Sequence, residues 1–253
     1  MNFKAVVEYD GTNYFGWQIQ PEVKTIQGEI ERALREISGN RIRIKYASRT
    51  DRGVHARGQV VSFNIDNDIS SGQLAHALNS KTPEDIIIKD LRDCSPDFNP
   101  RYDLDYKVYK YRILNRNLSD YMLRNYAWHI NYALNENVIK DGLKFIEGKH
   151  NFINFSSCDR RKCHVRCDNK EKETDITVME TGFRRSPQDL ITLSFKAKYF
   201  LTYMIRYLTG YLVAAASGKG SLEELKEMLS GGGKLSNYCA PARGLELNKI
   251  KYR

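Results

Sequence analysis

Residues Tyr46–Gly58 have the sequence YASRTDRGVHARG and lie between two segments whose composition predicts β-strands, Arg41–Ala47 and Gln59–Ile65. In the first segment apolar and basic residues alternate strictly, which is the pattern of a half-buried strand with a basic outer face. Small, charged and glycine residues follow, so the stretch between the strands is predicted to be a tight loop. This strand–loop–strand unit is the centre around which the other elements can be placed.

The loop places one carboxylate, that of Asp51, among four basic side chains. A carboxylate surrounded by cations is expected to stay ionised at neutral pH. An ionised aspartate held on a tight loop suits a nucleophile or an orienting base. An aspartate ahead of a glycine is also a common turn residue that bonds its own backbone, so a purely structural role is the alternative. The basic neighbours are Arg49, Arg52, His55 and Arg57.

The first half of the chain has the predicted order β-α-β-β-α-β, which is the split ferredoxin-like pattern. Each helix has apolar residues on one face, and each strand is rich in β-branched residues. The predicted elements are the strand Phe3–Tyr9, a helix from Thr25 to Gly39, the strands Arg41–Ala47 and Gln59–Ile65, the helix Ser71–Ser80 and the strand Asp85–Leu91.

The second half nearly repeats this order. The sequence therefore predicts an α+β protein of two ferredoxin-like halves, residues 1–104 and 105–253. We expect these halves to form one mixed, mainly antiparallel sheet with helices on one side and a central catalytic cleft. The predicted elements are the strands Tyr106–Leu114, Asp175–Glu180, Leu190–Lys198 and Leu245–Tyr252, the helices Glu136–Glu147, Phe200–Ser217 and Leu222–Leu229, and a turn from Gly182 to Pro187.

The composition points to a polyanionic partner. The 253 residues include 40 Lys and Arg against 31 Asp and Glu, which gives a formal charge of +9 and a pI near 9.2. Sixteen tyrosines offer aromatic faces that can stack on unpaired bases. A cationic surface can also serve solubility alone, so the charge favours RNA binding without establishing it.

No segment of the sequence predicts export, a membrane span or a metal site. The N-terminus is too charged for a signal peptide, and the longest apolar run, Tyr207–Ala216, is too short to cross a bilayer. Five cysteines, an odd number, fit a reducing cytoplasm. The cluster Cys158, Cys163, His164 and Cys167 lacks the paired Cys-x-x-Cys spacing of most structural zinc sites, so we expect no metal there.

Three stretches carry the chemistry: RTDRGVHA at Arg49–Ala56, YKVYKYRI at Tyr106–Ile113, and FLTYMIRYLTG at Phe200–Gly210. In the third, Arg206 interrupts a helix that is otherwise apolar, and an unpaired buried guanidinium is very costly, so an acidic partner is expected. In the second, alternation along the predicted strand puts three side chains on one face, those of Lys107, Tyr109 and Tyr111.

Taken together, these stretches resemble the tRNA pseudouridine synthase A family over almost the full length of the chain. The motifs that carry the resemblance are EYDGTxYxGWQ at Glu8–Gln18, RTDxGVHA at Arg49–Ala56, VYKY at Val108–Tyr111, FxxxMxR at Phe200–Arg206 and AxGL at Ala242–Leu245. The second motif is highly specific, whereas the third and fourth would be weak alone. The resemblance implies an RNA pseudouridine synthase that needs no cofactor and no metal.

The resemblance also implies roles for four residues. Asp51 would be the catalytic aspartate, which attacks or deprotonates the sugar while the uracil C–N bond breaks. Tyr109 would lie against the target uracil and help to remove the proton at C5. Arg206 would pair with Asp51, and Arg49 would fill the space left by the flipped nucleotide. Members of the family act in the cytoplasm as homodimers with RNA across both subunits, so a homodimer is expected.

Simpler roles remain open for several of these residues. Tyr109 could be an ordinary aromatic residue of a sheet, and Arg206 could extend to solvent or pair with a structural carboxylate. His55 is expected to brace the loop or touch a phosphate rather than transfer protons, because nothing near it forms a relay. Trp17 is expected to serve packing.

The chain departs from the family at Ser48, where Gly is usual, at Arg52, where a small residue is usual, and in the long charged loop Cys158–Thr174. Loops are where recognition diverges, so the RNA is less certain than the reaction. The anticodon stem-loop of tRNA is expected, and ribosomal RNA is the alternative. A non-catalytic RNA-binding protein is the alternative of another class. A glycosidase-like hydrolase ranks last, because the Asp51 loop offers no second carboxylate.

Overall fold

The computed structural model describes residues 1–66, 69–157, 176–232 and 236–253. These residues form two compact units: unit 1 is Met1–Lys107 together with Glu246–Arg253, and unit 2 is Val108–Leu245. The division of the chain into halves at residue 104 stays a prediction.

Unit 1 contains a mixed sheet whose strands have the order β4-β1-β3-β10, with β2 paired to β3. β1 is antiparallel to both β3 and β4, whereas the last strand of the chain, β10, runs parallel to β3. The elements are β1 (Asn2–Tyr9), α1 (Ile26–Ser38), β2 (Lys45–Tyr46), β3 (His55–Asn64), α2 (Ser71–Lys81), β4 (Ile86–Asp93) and β10 (Leu245–Tyr252).

Local sequence signals explain both helices of unit 1. The Thr25 side chain caps α1 by accepting a hydrogen bond from the Gly28 N–H, and Gly39 ends the helix in the left-handed conformation with φ 73°. Ser70 and Gln73 form a reciprocal capping box at the start of α2. The apolar stripe of α1 contributes fully buried side chains to the core of unit 1, those of Ile26, Ile30 and Leu34.

Unit 2 contains the strand order β5-β9-β8-β7, with the short strand β6 parallel to β5. β8 is antiparallel to both β7 and β9. The α+β class with mixed, mainly antiparallel pairing is therefore confirmed. The elements are β5 (Leu104–Asn115, which begins in unit 1), β6 (Trp128–Ile130), α3 (Glu136–Ile146), β7 (Gly148–Asn151), β8 (Ile176–Arg185), β9 (Leu190–Ala197), α4 (Met204–Ala216) and α5 (Leu222–Leu229).

The predicted strand Arg41–Ala47 is wrong over most of its length, because only Lys45–Tyr46 pairs with β3. The alternation of burial is nevertheless present, with Ile44 buried between two exposed basic residues. The Ile44 N–H donates to Glu31 Oε1 at 3.2 Å instead of to a strand, and that oxygen also accepts from Gln27 Nε2 at 2.8 Å. A buried side chain of α1 thus takes the hydrogen bond that a strand would have used.

Two predicted boundaries in unit 2 are also wrong. The helix expected from Phe200 begins at Met204, because Tyr203 adopts the left-handed conformation with φ 62°. The turn expected at Gly182 lies later, since β8 continues to Arg185. The turn is closed by the Asp189 N–H, which donates to the Ser186 carbonyl at 3.2 Å.

Two strands escaped prediction, β6 and β7, since the sequences WHI and GKHN lack a β-branched alternating pattern. The loop Cys158–Thr174 and the cysteine–histidine cluster within it lie outside the described residues. Elsewhere in the chain, within the ranges given above, no helix is long and apolar enough to cross a membrane.

Candidate active site

The backbone of Asp51 closes a tight turn in unit 1. The Val54 N–H donates to the Asp51 carbonyl at 3.1 Å, and Gly53 adopts φ 76°. This geometry matches the turn role that any aspartate ahead of a glycine can have. The Asp51 side chain is half-buried, so the turn fixes the backbone of a carboxylate that keeps access to solvent.

The loop after β1 braces this turn through its backbone. The Trp17 N–H donates to the Thr50 carbonyl at 3.1 Å, and the Gly53 N–H donates to the Tyr14 carbonyl at 3.4 Å. The Tyr9 hydroxyl and the Thr50 Oγ1 form a buried hydrogen bond of 2.7 Å. The residue before Asp51 is therefore held through both its carbonyl and its side chain.

Two glycines allow this close approach. A Cβ atom on Gly11 would lie 2.0 Å from the Val54 carbonyl oxygen, and one on Gly16 would lie 2.9 Å from the Thr50 carbonyl oxygen. Gly16 also has φ 90°, a backbone conformation that residues with a side chain rarely adopt. The spaced glycines of the first motif are thus a steric requirement of the Asp51 turn.

His55 and Trp17 serve as internal braces of the same region. His55 is buried, and its Nδ1 lies 3.2 Å from the Gly11 nitrogen and 3.1 Å from Asp10 Oδ1. An unprotonated Nδ1 accepts from Gly11, whereas a protonated one donates to Asp10, so either state ties the imidazole to the Asp10–Gly11 turn. The Trp17 ring is fully buried and packs against the rings of Tyr9 and Tyr46, in agreement with a packing role.

The cations expected around Asp51 have different surroundings. The Arg52 guanidinium lies 4.1 Å above the Phe15 ring, and Arg57 Nε lies 3.3 Å from the buried Glu246 carboxylate. Arg49 is exposed and forms no hydrogen bond or ion pair with any residue that the structure describes. Arg49 is thus exposed with its donors available to a ligand, and Arg52, which also has no hydrogen bond among the described residues, stacks on Phe15.

In unit 2, Tyr109 lies on β5 and is 6% exposed. Its ring packs edge-on against Phe200, with 5.0 Å between the centroids. Burial alternates along β5, so the prediction that Lys107, Tyr109 and Tyr111 share one face is confirmed. Burial raises the pKa of Tyr111 far above its usual value, and its hydroxyl donates to the Pro241 carbonyl at 2.7 Å.

Arg206 lies in the first turn of α4 and is half-buried. Its Nε donates to the Ala240 carbonyl at 2.8 Å, and its guanidinium carbon lies 4.6 Å from the centre of the Tyr203 ring. The sequence predicts an acidic partner for Arg206. A backbone carbonyl and an aromatic face provide part of the stabilisation that was expected from that carboxylate. These two contacts also orient the guanidinium.

Of the four predicted site residues, Arg49 and Asp51 share one loop of unit 1, and Tyr109 and Arg206 belong to unit 2. A fifth residue escaped selection. Lys107 is 8% exposed, and its Nζ lies 3.3 Å from the Oγ of Ser48, on the segment that leads to Asp51. Its place on the Tyr109 face of the strand was the signal that could have found it.

With this geometry in hand, comparison with known proteins is informative. A family model described as tRNA pseudouridine synthase matches residues 5–103 and 144–253. These segments include the Asp51 loop, the glycines that fit it and Arg206. The chain belongs to the tRNA pseudouridine synthase family.

Curated relatives of this tRNA pseudouridine synthase family resemble the chain along nearly its whole length. The tRNA pseudouridine synthase A of Thermotoga petrophila is 34% identical over 250 residues, which is 98% of each chain. That of Thermoanaerobacter pseudethanolicus is 36% identical over 252 residues, 99% of each chain. The tRNA pseudouridine synthase A 2 of Clostridium perfringens is 37% identical over 253 residues, 99% of each chain. Tyr109 lies outside the family-model match but within these longer similarities.

Proposed function

We propose that this protein isomerises specific uridines of tRNA to pseudouridine and that Asp51 is its catalytic carboxylate. Membership of the tRNA pseudouridine synthase family supports the reaction. The observation that carries the role of Asp51 is the braced turn, in which hydrogen bonds to Trp17 and Tyr14 and the close fit of Gly11 and Gly16 fix the backbone on both sides of it.

The reaction is an isomerisation, so no atom is gained or lost overall. The C–N glycosidic bond breaks, positive charge develops on the ribose, and a fixed carboxylate beside it stabilises that charge. Asp51 either bonds to the sugar carbon or removes a proton from the sugar. The freed uracil then rotates and its C5 bonds to the same sugar carbon, while the bond to Asp51 breaks or the sugar proton returns. The proton on C5 leaves and N1 takes up a proton, so the product is an isomer of the uridine. This chemistry needs no cofactor and no metal.

The target uridine must leave its stack to reach such a site, at a cost of roughly a few kcal/mol. We assign Arg49 to the space that the uridine leaves. Its exposure and its lack of partners among the described residues support a contact to RNA. A planar guanidinium can both stack on bases and bind phosphate, which offsets part of this cost.

We assign Tyr109 to the face of the target uracil and to removal of its C5 proton. The edge-on contact with Phe200 fixes the ring, and a tyrosine offers both a stacking face and a hydroxyl. We assign Arg206 to binding of the RNA substrate. The hydrogen bond from its Nε to Ala240 supports this role, because it fixes the direction of the guanidinium.

We add three finer proposals, which rest on the resemblance of the sequence motifs to the family. The substrate is the anticodon stem-loop of tRNA, with ribosomal RNA as the second candidate. The protein is a cytoplasmic homodimer. Mapping pseudouridine in RNA from cells with and without this gene would identify the substrate, and equilibrium sedimentation would measure the oligomeric state. Sites lost only from ribosomal RNA would contradict the tRNA assignment.

The role of Asp51 can be tested by release of tritium from tRNA labelled at uridine C5. We expect Asp51→Asn to reduce release by at least roughly 10³-fold, because the amide can neither bond to the sugar nor accept its proton. Asp97→Asn is the matched control, since Asp97 is exposed on a loop of the same unit. Release by the Asp51 variant at the parent rate would show that another group carries the reaction.

The same measurement separates the enzyme from a non-catalytic RNA-binding protein. Such a protein would release no tritium, and its RNA affinity would depend steeply on salt and be indifferent to Asp51→Asn. Parent protein that binds tRNA tightly and releases no label would favour that function.

A further inference from the structure

Lys107 is a buried cation whose surroundings leave its charge uncompensated. The residue is 8% exposed, and its ammonium donates to the Ser48 hydroxyl at 3.3 Å. No carboxylate of the residues that the structure describes pairs with it. A buried ammonium is normally accompanied by an anion, because the loss of hydration is costly. An ammonium also has three donors, and one hydroxyl uses only one of them.

The surroundings add positive potential instead of removing it. The pKa of Lys107 is lowered to about 8, chiefly by burial and secondly by the nearby Arg101. Ser48 is itself neutral, so within the described ranges the ammonium has a hydroxyl partner and a nearby guanidinium. A site with this potential and low local dielectric favours a bound anion.

The position of Lys107 connects it to the Asp51 loop. Gln59 is fully buried, its Oε1 accepts from the Ser48 N–H at 3.2 Å, and its Nε2 donates to the Ser48 carbonyl at 2.6 Å. Ser48 is thus held through both its N–H and its carbonyl, and Arg49, which follows it, has no hydrogen bond or ion pair with a described residue. The ammonium lies behind a fixed segment, three residues before Asp51.

We propose that Lys107 binds a backbone phosphate of the RNA substrate next to the target uridine. This inference rests on the proposed function, since phosphate is the anion that an RNA brings to the Asp51 loop. The ammonium keeps its bond to Ser48 and donates its other protons to the phosphate oxygens. Because Lys107 is buried, the charge–charge interaction is stronger there than on the protein surface.

The proposal makes RNA binding dependent on pH in a direction that can be stated. In the free protein the ammonium loses its proton as the pH rises through about 8. A bound phosphate favours the charged form and raises the pKa of Lys107 again. RNA binding above pH 8 therefore takes up a proton, and affinity falls as the pH rises further.

The test uses calorimetry of tRNA binding to the full chain at pH 8.5, in buffers of different ionisation enthalpy. The Asp51→Asn variant serves as parent, so that binding is measured without turnover. We expect proton uptake with the parent and none with Lys107→Arg or Lys107→Met. The slope of log affinity against log salt should fall by about 0.9 in Lys107→Met, the value for one phosphate, and stay unchanged in Lys107→Arg. We expect Lys107→Met to weaken binding about tenfold.

Ser48→Ala tests whether Lys107 acts by binding phosphate or by bracing the Ser48 segment through its hydrogen bond. This variant removes the hydroxyl and keeps the ammonium, so proton uptake and the salt slope should match those of the parent. Thermal melts identify any variant that fails to fold. If Lys107→Met fails to fold, Lys107→Arg keeps the test valid. Unchanged proton uptake and salt slope in a folded Lys107→Met or Lys107→Arg protein would overturn the proposal.

The outcome is distinguishable from failure of the proposed function. If the wild-type protein releases tritium normally and proton uptake does not depend on Lys107, only the proposal of the phosphate site is overturned. Uptake that depends on Lys107 without tritium release would overturn the reaction and leave the site standing.

Discussion

The Asp51 loop and the segment that leads into α4 solve the same problem in different ways. Each must hold a short backbone stretch in an unusual conformation beside a functional side chain. The loop after β1, which packs on the Asp51 loop, has glycine where the two backbones come close, at Gly11 and Gly16. The segment before α4 uses Tyr203 at φ 62°, a conformation that costs a non-glycine residue roughly 1–2 kcal/mol.

The cations of the two regions differ in the same sense. Arg206 has a backbone carbonyl for its Nε and the Tyr203 ring beside its guanidinium. Lys107 has the Ser48 hydroxyl and a repelling arginine. The strained tyrosine thus stabilises the charge next to it, whereas Lys107, which contacts the segment before Asp51, has no carboxylate partner in the part of the chain that the structure describes. Where a residue with a side chain occupies a strained backbone conformation, as Tyr203 does, the contact of that side chain explains why the strain is tolerated.

The largest effect should come from filling the space beside Gly11. In Gly11→Ala the new methyl group would lie 2.0 Å from the Val54 carbonyl oxygen, and a backbone atom cannot move aside as a flexible side chain can. We expect the free energy of unfolding to fall by roughly 3 kcal/mol and tritium release to fall more than tenfold. Denaturant unfolding and the release assay measure the two effects.

Gly72→Ala is the control for this change, because a methyl group there meets nothing within 4 Å and lies in α2. It should leave stability unchanged or raise it by up to about 1 kcal/mol, since alanine is the better helix former. Equal stabilities of the Gly11 and Gly72 variants would show that the loop yields without cost.

A smaller effect is expected from removing the uncompensated charge. Lys107→Met should raise the free energy of unfolding at pH 7 by about 2 kcal/mol, because one pKa unit corresponds to about 1.4 kcal/mol and the Ser48 hydrogen bond is lost. The pKa of Lys107 falls from 10.5 to about 8 on folding, so the unfolded chain binds more protons between these values. Stability of the unsubstituted protein therefore rises with pH across this window.

The advantage of Lys107→Met should accordingly shrink between pH 8 and 10.5, and urea unfolding at pH 7, 9 and 10.5 measures it. Lys144→Met is a matched control, because Lys144 is exposed and pairs with Asp141 on the surface of α3. If Lys107→Met were less stable than the unsubstituted protein at pH 7, the charge of the Lys107 ammonium would be compensated.

The smallest effect concerns Tyr203 and is a difference between two variants. Tyr203→Gly and Tyr203→Ala both lose the ring beside Arg206, but only alanine keeps the steric cost of the left-handed conformation. We expect the glycine variant to be about 1 kcal/mol more stable than the alanine variant. Thermal unfolding of both proteins measures the difference, and identical curves would contradict the account of strain.

Periodicity and turn residues were enough to predict most elements, because α1, α3 and β1 each bury a regular stripe. Sequence motifs likewise selected Asp51 as the candidate residue, since the glycines that fit its loop are visible in the sequence. Two of the misses, the strand before Ala47 and the place of Lys107, share a physical origin. The Glu31 carboxylate takes the N–H of Ile44, and the Ser48 hydroxyl meets Lys107 across 59 positions of the chain. Such contacts between distant residues leave no local pattern.

The parallel pairing of β10 with β3 has a consequence for folding during synthesis. The pairing joins Glu246 to His55 and Leu247 to Ala56, directly after the Asp51 turn. On the ribosome these partners emerge only after all of unit 2, although the rest of unit 1 has been made long before. Until then, this end of β3 presents open hydrogen-bonding groups that could pair with another chain. The nascent protein thus completes the support of the Asp51 loop only after unit 2 has been made.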